Sequence, residues 1–244
     1  NLIRFLVFLG FILVWQLSVQ IIVLDMLPSP FVVFQQLLEN IRSGELQHHL
    51  FITLKRVGIS FAVALSVGFL IGCLMGWFRW IDLLLDVLVT LALNIPALVV
   101  IILCYIWLGL HDWVAILAVI LNKAPLVIVT IREGVKSIDY KLLEVAKVFK
   151  LGAWKTFWKV FFPQLYPYIL TCIRNGLSLI WKVVLVVELI GCSDGVGFQL
   201  GIFFQFFDIA NILAYTFAFA IVVLLIEALI VQPWERKITE WRYD

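Results

Sequence analysis

Six runs of apolar residues, each about as long as a bilayer is thick, dominate this 244-residue chain. They cover roughly residues 2–24, 51–76, 82–109, 113–131, 169–190 and 212–232. A helix rises 1.5 Å per residue, so about 20 apolar residues cross ~30 Å of hydrocarbon. The chain is 64% hydrophobic and 14% charged, against roughly 45–50% apolar and about 25% charged in soluble domains. A water-soluble core could not hide that excess, so lipid must solvate much of it. The predicted fold class is all-α, a polytopic membrane protein with about six transmembrane helices. The first run is about twenty residues long and lacks a small-residue cleavage site, so it reads as a span and not a signal peptide.

Between the first two runs, Ser29 can cap a helix and Pro30 suits its first position. Val32, Val33, Leu37, Leu38 and Ile41 then recur near helical spacing, with Gln35, Gln36, Glu39, Asn40 and Arg42 between them. This predicts an amphipathic helix over about 30–43, too short to span and suited to the membrane interface. Lys and Arg placement sets orientation. Arg132, Lys136, Lys141, Lys147, Lys150, Lys155 and Lys159 crowd one loop, 132–168, and Arg236, Lys237 and Arg242 the C-terminal tail; Arg4 and Arg79 fall on the same side. The opposite side has Arg42, Lys55 and Arg56, and loop 191–211 has neither Lys nor Arg. The positive-inside rule then places both termini and 132–168 in the cytoplasm.

Cys73, Cys104, Cys172 and Cys192 show no C-x-x-C spacing and support neither a zinc site nor a disulfide framework. Gly68, Gly72 and Gly76 form overlapping G-x-x-x-G units, which admit a close helix neighbour. Pro96 and Pro125 are expected to interrupt the third and fourth spans. The loop 132–168 reads as two short helices. Asp139 caps the first, which carries Leu142, Leu143, Val145, Ala146, Val148 and Phe149, and Gly152 is a natural end for it. In the second, Trp154, Phe157, Trp158 and Phe161 keep helical spacing beside Lys155 and Lys159, and Pro163 and Pro167 stop it before the fifth span. A basic loop beside anionic lipid accounts for the lysines and aromatics. A short apolar helix pushed beyond the membrane calls for a groove in another protein.

Glu144-Val145-Ala146, with Pro163 nineteen positions after Glu144, resembles the "EAA" motif of permease subunits in binding-protein-dependent ABC importers. The family usually has Gly six positions after the Glu; here that position is Lys150, with Gly152 two residues later. Leu27-Pro28-Ser29-Pro30, Thr53-Leu54-Lys55-Arg56-Val57, Asn94-Ile95-Pro96, Glu188-Leu189-Ile190-Gly191 and Gly195-Val196-Gly197-Phe198 are similar to the nitrate, sulfonate and taurine branch, in order, over about 200 residues. The resemblance implies a single transmembrane permease domain over 1–244 with a MetI-like fold, in a bacterial cytoplasmic (inner) membrane. It implies that helix 139–151 seats in an ATPase groove, with Asp139, Leu142, Leu143, Glu144, Ala146, Lys147, Lys150 and Gly152 as the coupling residues. It also implies the partners: two ABC ATPase subunits, a second copy of the permease and an extracytoplasmic substrate-binding protein, besides membrane lipid and with no nucleic acid. The chain has no G-x-x-x-x-G-K-[ST] phosphate loop. It is therefore not an enzyme by itself; ATP and Mg belong to the partner ATPase, and no cofactor is expected on this chain.

Lys123, Lys182, Glu188 and Glu227 fall within predicted spans, where ionisable groups face protein or water. Lys123 and Lys182 lie at similar depths from the outer end, roughly 12–15 Å. They could form a cationic path for an anion, with Asn94, Asn122 and Ser178 adding hydrogen bonds and Glu188 nearby. Structural pairing of the lysines with Glu188 or Glu227 is the alternative. A secondary transporter or channel driven by an ion gradient is the alternative function, and it leaves helix 139–151 unexplained.

Overall fold

The computed structural model describes residue 10, residues 12–19, residues 27–231 and residue 233; among these there is no strand. The first predicted span lies largely outside the described residues, as do Arg4, Arg236, Lys237 and Arg242; within that span, residues 12–19 are helical. The helices are α1 (Pro30–Ser43), α2 (Glu45–Trp77), α3 (Arg79–Asn94), α4 (Ala97–Leu108), α5 (Asp112–Lys136), α6 (Tyr140–Val148), α7 (Ala153–Gly191), α8 (Val196–Gln205) and α9 (Ile209–Ile226), the last continued by a π-helical turn, Glu227–Val231. Among the described residues four helices, α2, α5, α7 and the last, are long and apolar enough to cross a membrane, and α3 with α4 reaches that length and apolarity only as a bent pair, the geometry of a broken span or a re-entrant loop.

That break is the one expected at Pro96. Ile95 takes extended backbone, φ −74° and ψ 125°, as the residue before a proline must, and the two halves meet at 101°. The other proline expectations are corrected. α5 runs unbroken through the buried Pro125. Pro163 and Pro167 do not stop a helix either. Pro163 follows a π-helical turn, Phe157–Phe161, which adds a residue to the ladder just before the ring, and α7 continues as one helix to Gly191. Packing on neighbouring helices and local π geometry absorb the lost backbone bonds.

The chain forms two compact units, Leu54–Val187 and the remainder, Asn1–Thr53 with Glu188–Asp244. In the first, α5 is the central element. Its residues Val127, Ile131 and Val135 join Ile138, Phe161, Leu165 and Cys172 in a buried cluster. The glycine stripe of α2 lies directly on it. A Cβ at Gly68, Gly72 or Gly76 would come within 2.5–2.7 Å of Val127, the Ile128 carbonyl or Val135, so only glycine permits this approach. In the second unit, α1 forms as predicted: Ser29 accepts from the Val32 N–H at 3.4 Å. α1 packs on α9 through buried Val33 and through Asn40, which donates to Asn211 Oδ1 at 2.6 Å. Phe31, Phe34, Leu38 and Ile41 form its exposed stripe.

Candidate functional site

Helix α6 is built to hold an apolar surface outward. Asp139 caps it, accepting from the Lys141 N–H at 2.9 Å. The Asp139 N–H in turn donates to Gln164 Oε1 on α7 at 2.9 Å. The predicted apolar residues divide between two faces. Ala146 is buried and Leu143 packs on the cluster around Ile131, which anchors the helix. Leu142, Val145, Val148 and Phe149 are exposed, the last two at 79% and 75%, with Glu144 and Lys147 among them. Ala146 thus offers no accessible surface; Glu144 does.

The end of α6 accounts for the departure from the family pattern. The Lys150 N–H donates to the Lys147 carbonyl at 2.9 Å and the Leu151 N–H to the Ala146 carbonyl at 3.0 Å. This pair of bonds is the Schellman closure, which puts the residue after the cap in the left-handed region. That residue is Lys150, at φ +50°. Gly152, expected to end the helix, instead caps the start of α7 at an ordinary φ of −62°. The turn therefore sits at the family's glycine position with a lysine in it.

The basic loop is also less uniformly basic than its sequence. Arg132 and Lys136 belong to α5. Arg132 pairs with Asp82 at 3.2 Å, with Asp86, and with Glu133 at 3.2 Å, and Lys136 pairs with Asp82 at 2.8 Å. Lys141, Lys147, Lys150, Lys155 and Lys159 are exposed and form no ion pair among the described residues.

Of the residues expected to line a path, Lys123 on α5 is half-buried and Lys182 on α7 is exposed; neither forms an ion pair among the described residues. Asn94 and Ser178 are exposed and bond to their own helices, donating to the Thr90 carbonyl at 2.7 Å and the Asn175 carbonyl at 3.2 Å. Asn122 is half-buried beside Lys123. No hydrogen bond joins these five among the described residues, and Glu227 is exposed.

Glu188 has a different setting. It is fully enclosed, and its Oε2 lies 2.9 Å from the Thr53 hydroxyl and accepts from the Gly197 N–H at 2.9 Å. The same hydroxyl is 3.0 Å from the His49 carbonyl and accepts from the Val196 N–H at 2.8 Å. The Gly195 N–H donates to His49 Nδ1 at 3.1 Å, and the Gln199 amide lies 2.7 Å from His49 Nε2. Accepting at Nδ1 makes the neutral imidazole its Nε2–H tautomer, which calls for the Gln199 amide to present its oxygen, in place of its nitrogen, to that N–H. Three successive backbone N–H groups at the start of α8, those of its cap Gly195 and of Val196 and Gly197, are thus held by buried side chains. Gly195 sits at φ +102°, where a Cβ would lie within 2.5 Å of the Glu188 carboxylate oxygens. This latch was not read from the sequence. In the sequence, Thr53 and Gly195 stand out only as parts of family-like strings, and nothing local marks His49 as their partner.

Residues 64–231 match the family model described as binding-protein-dependent transport system inner membrane component. The chain is 32% identical over 233 residues to SsuC of Bacillus subtilis (strain 168), described as an aliphatic sulfonates transport permease, covering 95% of this chain and 84% of that one. It is 28% identical to the taurine transport system permease protein TauC of Escherichia coli (strain K12), over 88% of this chain and 80% of that one. It is 27% identical to the bicarbonate transport system permease protein CmpB of a Synechocystis species, over 72% of this chain and 63% of that one. With spanning helices, a short capped helix between α5 and α7 and these matches together, the chain belongs to the family of binding-protein-dependent inner membrane components, the multi-pass permeases of ABC importers in the sulfonate, taurine and bicarbonate branch.

Proposed function

We propose that this chain is the membrane-spanning subunit of an ATP-driven importer and that α6 couples it to a separate ATPase. The observation that carries the reading is the division of α6 into an anchored face and a bare apolar face. Leu143 and Ala146 root it in the core around Ile131, while Leu142, Val145, Val148 and Phe149 are left for a partner's groove. Glu144 and Lys147 flank that face and supply polar contacts, and Asp139 and Lys150 fix the two ends of the helix. Both termini and the α6 end are cytoplasmic in this reading, from the excess of Lys and Arg there. Two ATPase subunits, a second permease copy and an extracytoplasmic binding protein complete the complex, with ATP and Mg on the ATPase. ATP-driven closure of the ATPases moves α6, and because α6 is tied to α7 through Gln164 the motion passes into the spans.

The cargo is a small anion. The relatives named for aliphatic sulfonates, taurine and bicarbonate support this, as do two lysines in spanning helices, Lys123 and Lys182, which form no ion pair with a carboxylate among the described residues. Asn94, Asn122 and Ser178 supply hydrogen bonds along the path, and Glu188 serves by holding the α7–α8 loop. The test is Val145→Arg on the bare face, with the neighbouring ATPase co-expressed. Membrane insertion is expected to persist, while ATPase co-purification and ATP-dependent uptake are lost; full uptake in that variant overturns the reading.

A further inference from the structure

The stretch from Val145 to Val187 contains no Asp or Glu, while Lys155 and Lys159 project from the first turns of α7. Beside them runs a ladder of rings. Trp154 and Trp158 are 74% and 47% exposed, and the ring spacings from Trp154 to Trp158 and from Trp158 to Phe162 are 5.8 and 5.0 Å. Behind this row, Phe157 stacks at 5.4 Å on buried Phe161, so the ladder is rooted in the core and its outer row is bare. None of the coupling residues on α6 belongs to it.

The depth of the ladder follows from its neighbours. Phe161 lies 5.4 Å from Trp77, the last residue of α2. Val135, packed in the same cluster as Phe161, belongs to the turn of α5 whose Arg132 and Lys136 pair with Asp82 of α3. Such charges mark the edge of the hydrocarbon. At 1.5 Å per residue, Trp158 and Lys159 stand about 3–5 Å beyond Phe161, and Trp154 and Lys155 about 9–11 Å. The polar layer of one leaflet is about 5–8 Å deep, the difference between ~30 Å of hydrocarbon and ~40–45 Å of bilayer, halved. Trp158 and Lys159 therefore stand in the phosphate layer, and Trp154 and Lys155 stand at its outer edge, where the headgroups meet water.

We propose that this ladder is a docking site for the headgroups of anionic phospholipid. The rings lie at the boundary and the two lysines meet the phosphates, with no carboxylate of the segment competing for them. The ladder also continues directly into the membrane-crossing part of α7, which makes lipid and not the ATPase its neighbour. The site does not depend on the coupling role of α6.

The test uses the purified full chain in phosphatidylcholine vesicles carrying about one tenth of either phosphatidylglycerol or phosphatidylcholine with bromines near the headgroup. Tryptophan quenching is read as the difference between the wild type and the Trp154→Phe/Trp158→Phe protein, since the chain has 10 tryptophans. Quenching of this pair by the glycerol lipid is expected to exceed that by the choline lipid at least about twofold, each lysine near an anionic surface favouring it severalfold. Lys155→Gln/Lys159→Gln is expected to remove the excess, and so is salt raised from about 0.1 to about 0.5 M, an arm that needs no substitution. Equal quenching by the two lipids overturns the proposal, as does absence of quenching by both. Loss of quenching when the ATPase is added assigns the surface to the ATPase and overturns it too.

Discussion

Replacing Lys150 by glycine should strengthen the α6 turn, and the size of the gain follows from its backbone. An L-residue in the left-handed region costs roughly 1–2 kcal/mol, which Lys150 bears at φ +50°. Glycine lifts that cost and gives back about 0.5–1 kcal/mol as lost chain entropy. The net is about 0.5–1 kcal/mol in favour of Lys150→Gly, and 1 kcal/mol is roughly a fivefold change in local opening. The amides that report it are those of Lys150 and Leu151, which donate to Lys147 and Ala146. Hydrogen exchange followed by mass spectrometry over 139–152 should show slowing of about two- to fivefold in Lys150→Gly. Gly152→Ala is the companion variant. Gly152 has φ −62° and nothing within 4 Å of an added Cβ, so exchange should stay unchanged or slow slightly. Faster exchange in Gly152→Ala, with none slower in Lys150→Gly, would refute the argument by moving the left-handed residue to 152.

Two further substitutions test packing and the latch. Gly72→Ala puts a Cβ 2.7 Å from the Ile128 carbonyl oxygen, a backbone atom that yields only if α2 and α5 separate. A loss of about 2 kcal/mol is expected, seen as a fall of about 4–8 °C in Tm in detergent, whereas Gly58→Ala, with open space around it, should hold or gain stability. Thr53→Val strips a partner from the buried Glu188 carboxylate and from the Val196 N–H. With an expected cost of about 2–3 kcal/mol, it should speed limited proteolysis at residues 192–195 by tenfold or more, and Thr53→Ser should restore the slow rate; equal cleavage in all three proteins would count against the latch.

The comparison of sequence with structure turns on range. Apolar runs and caps are local, so α1 with its Ser29 cap, the spans around 51–76, 113–131, 169–190 and 212–232, and the Asp139 cap were legible. Pro96 was legible because its constraint acts on Ile95, the next residue back. Pro125 and Pro163 were not, because their effect depends on what packs around the freed backbone, and a π-helical turn at Phe157–Phe161 has no sequence signature of its own. Arg132 and Lys136 read as two more charges of a basic loop because their partners, Asp82 and Asp86, lie about fifty residues away. The latch was hidden for the same reason: Thr53 and Val196 are separated by 143 positions. The inward turn of Ala146 could not be told from the outward turn of Val145 without knowing where the core of α5 stands.

The corner at Ile95 and Pro96 carries a consequence for hydration. Where α3 ends and α4 begins at 101°, the negative end of one peptide dipole meets the positive end of another. The Asn94 amide turns back to the Thr90 carbonyl and the Ile95 N–H to that of Leu91, and Pro96 has no N–H, so the carbonyls of Ala92, Leu93 and Asn94 depend on other groups. Hydrocarbon offers those groups nothing. The corner must therefore be wetted or walled by protein in the working membrane, and it sorts the surface of an otherwise greasy chain. The outer faces of α3 and α4 can meet lipid tails, but their junction has to look toward water or another polypeptide.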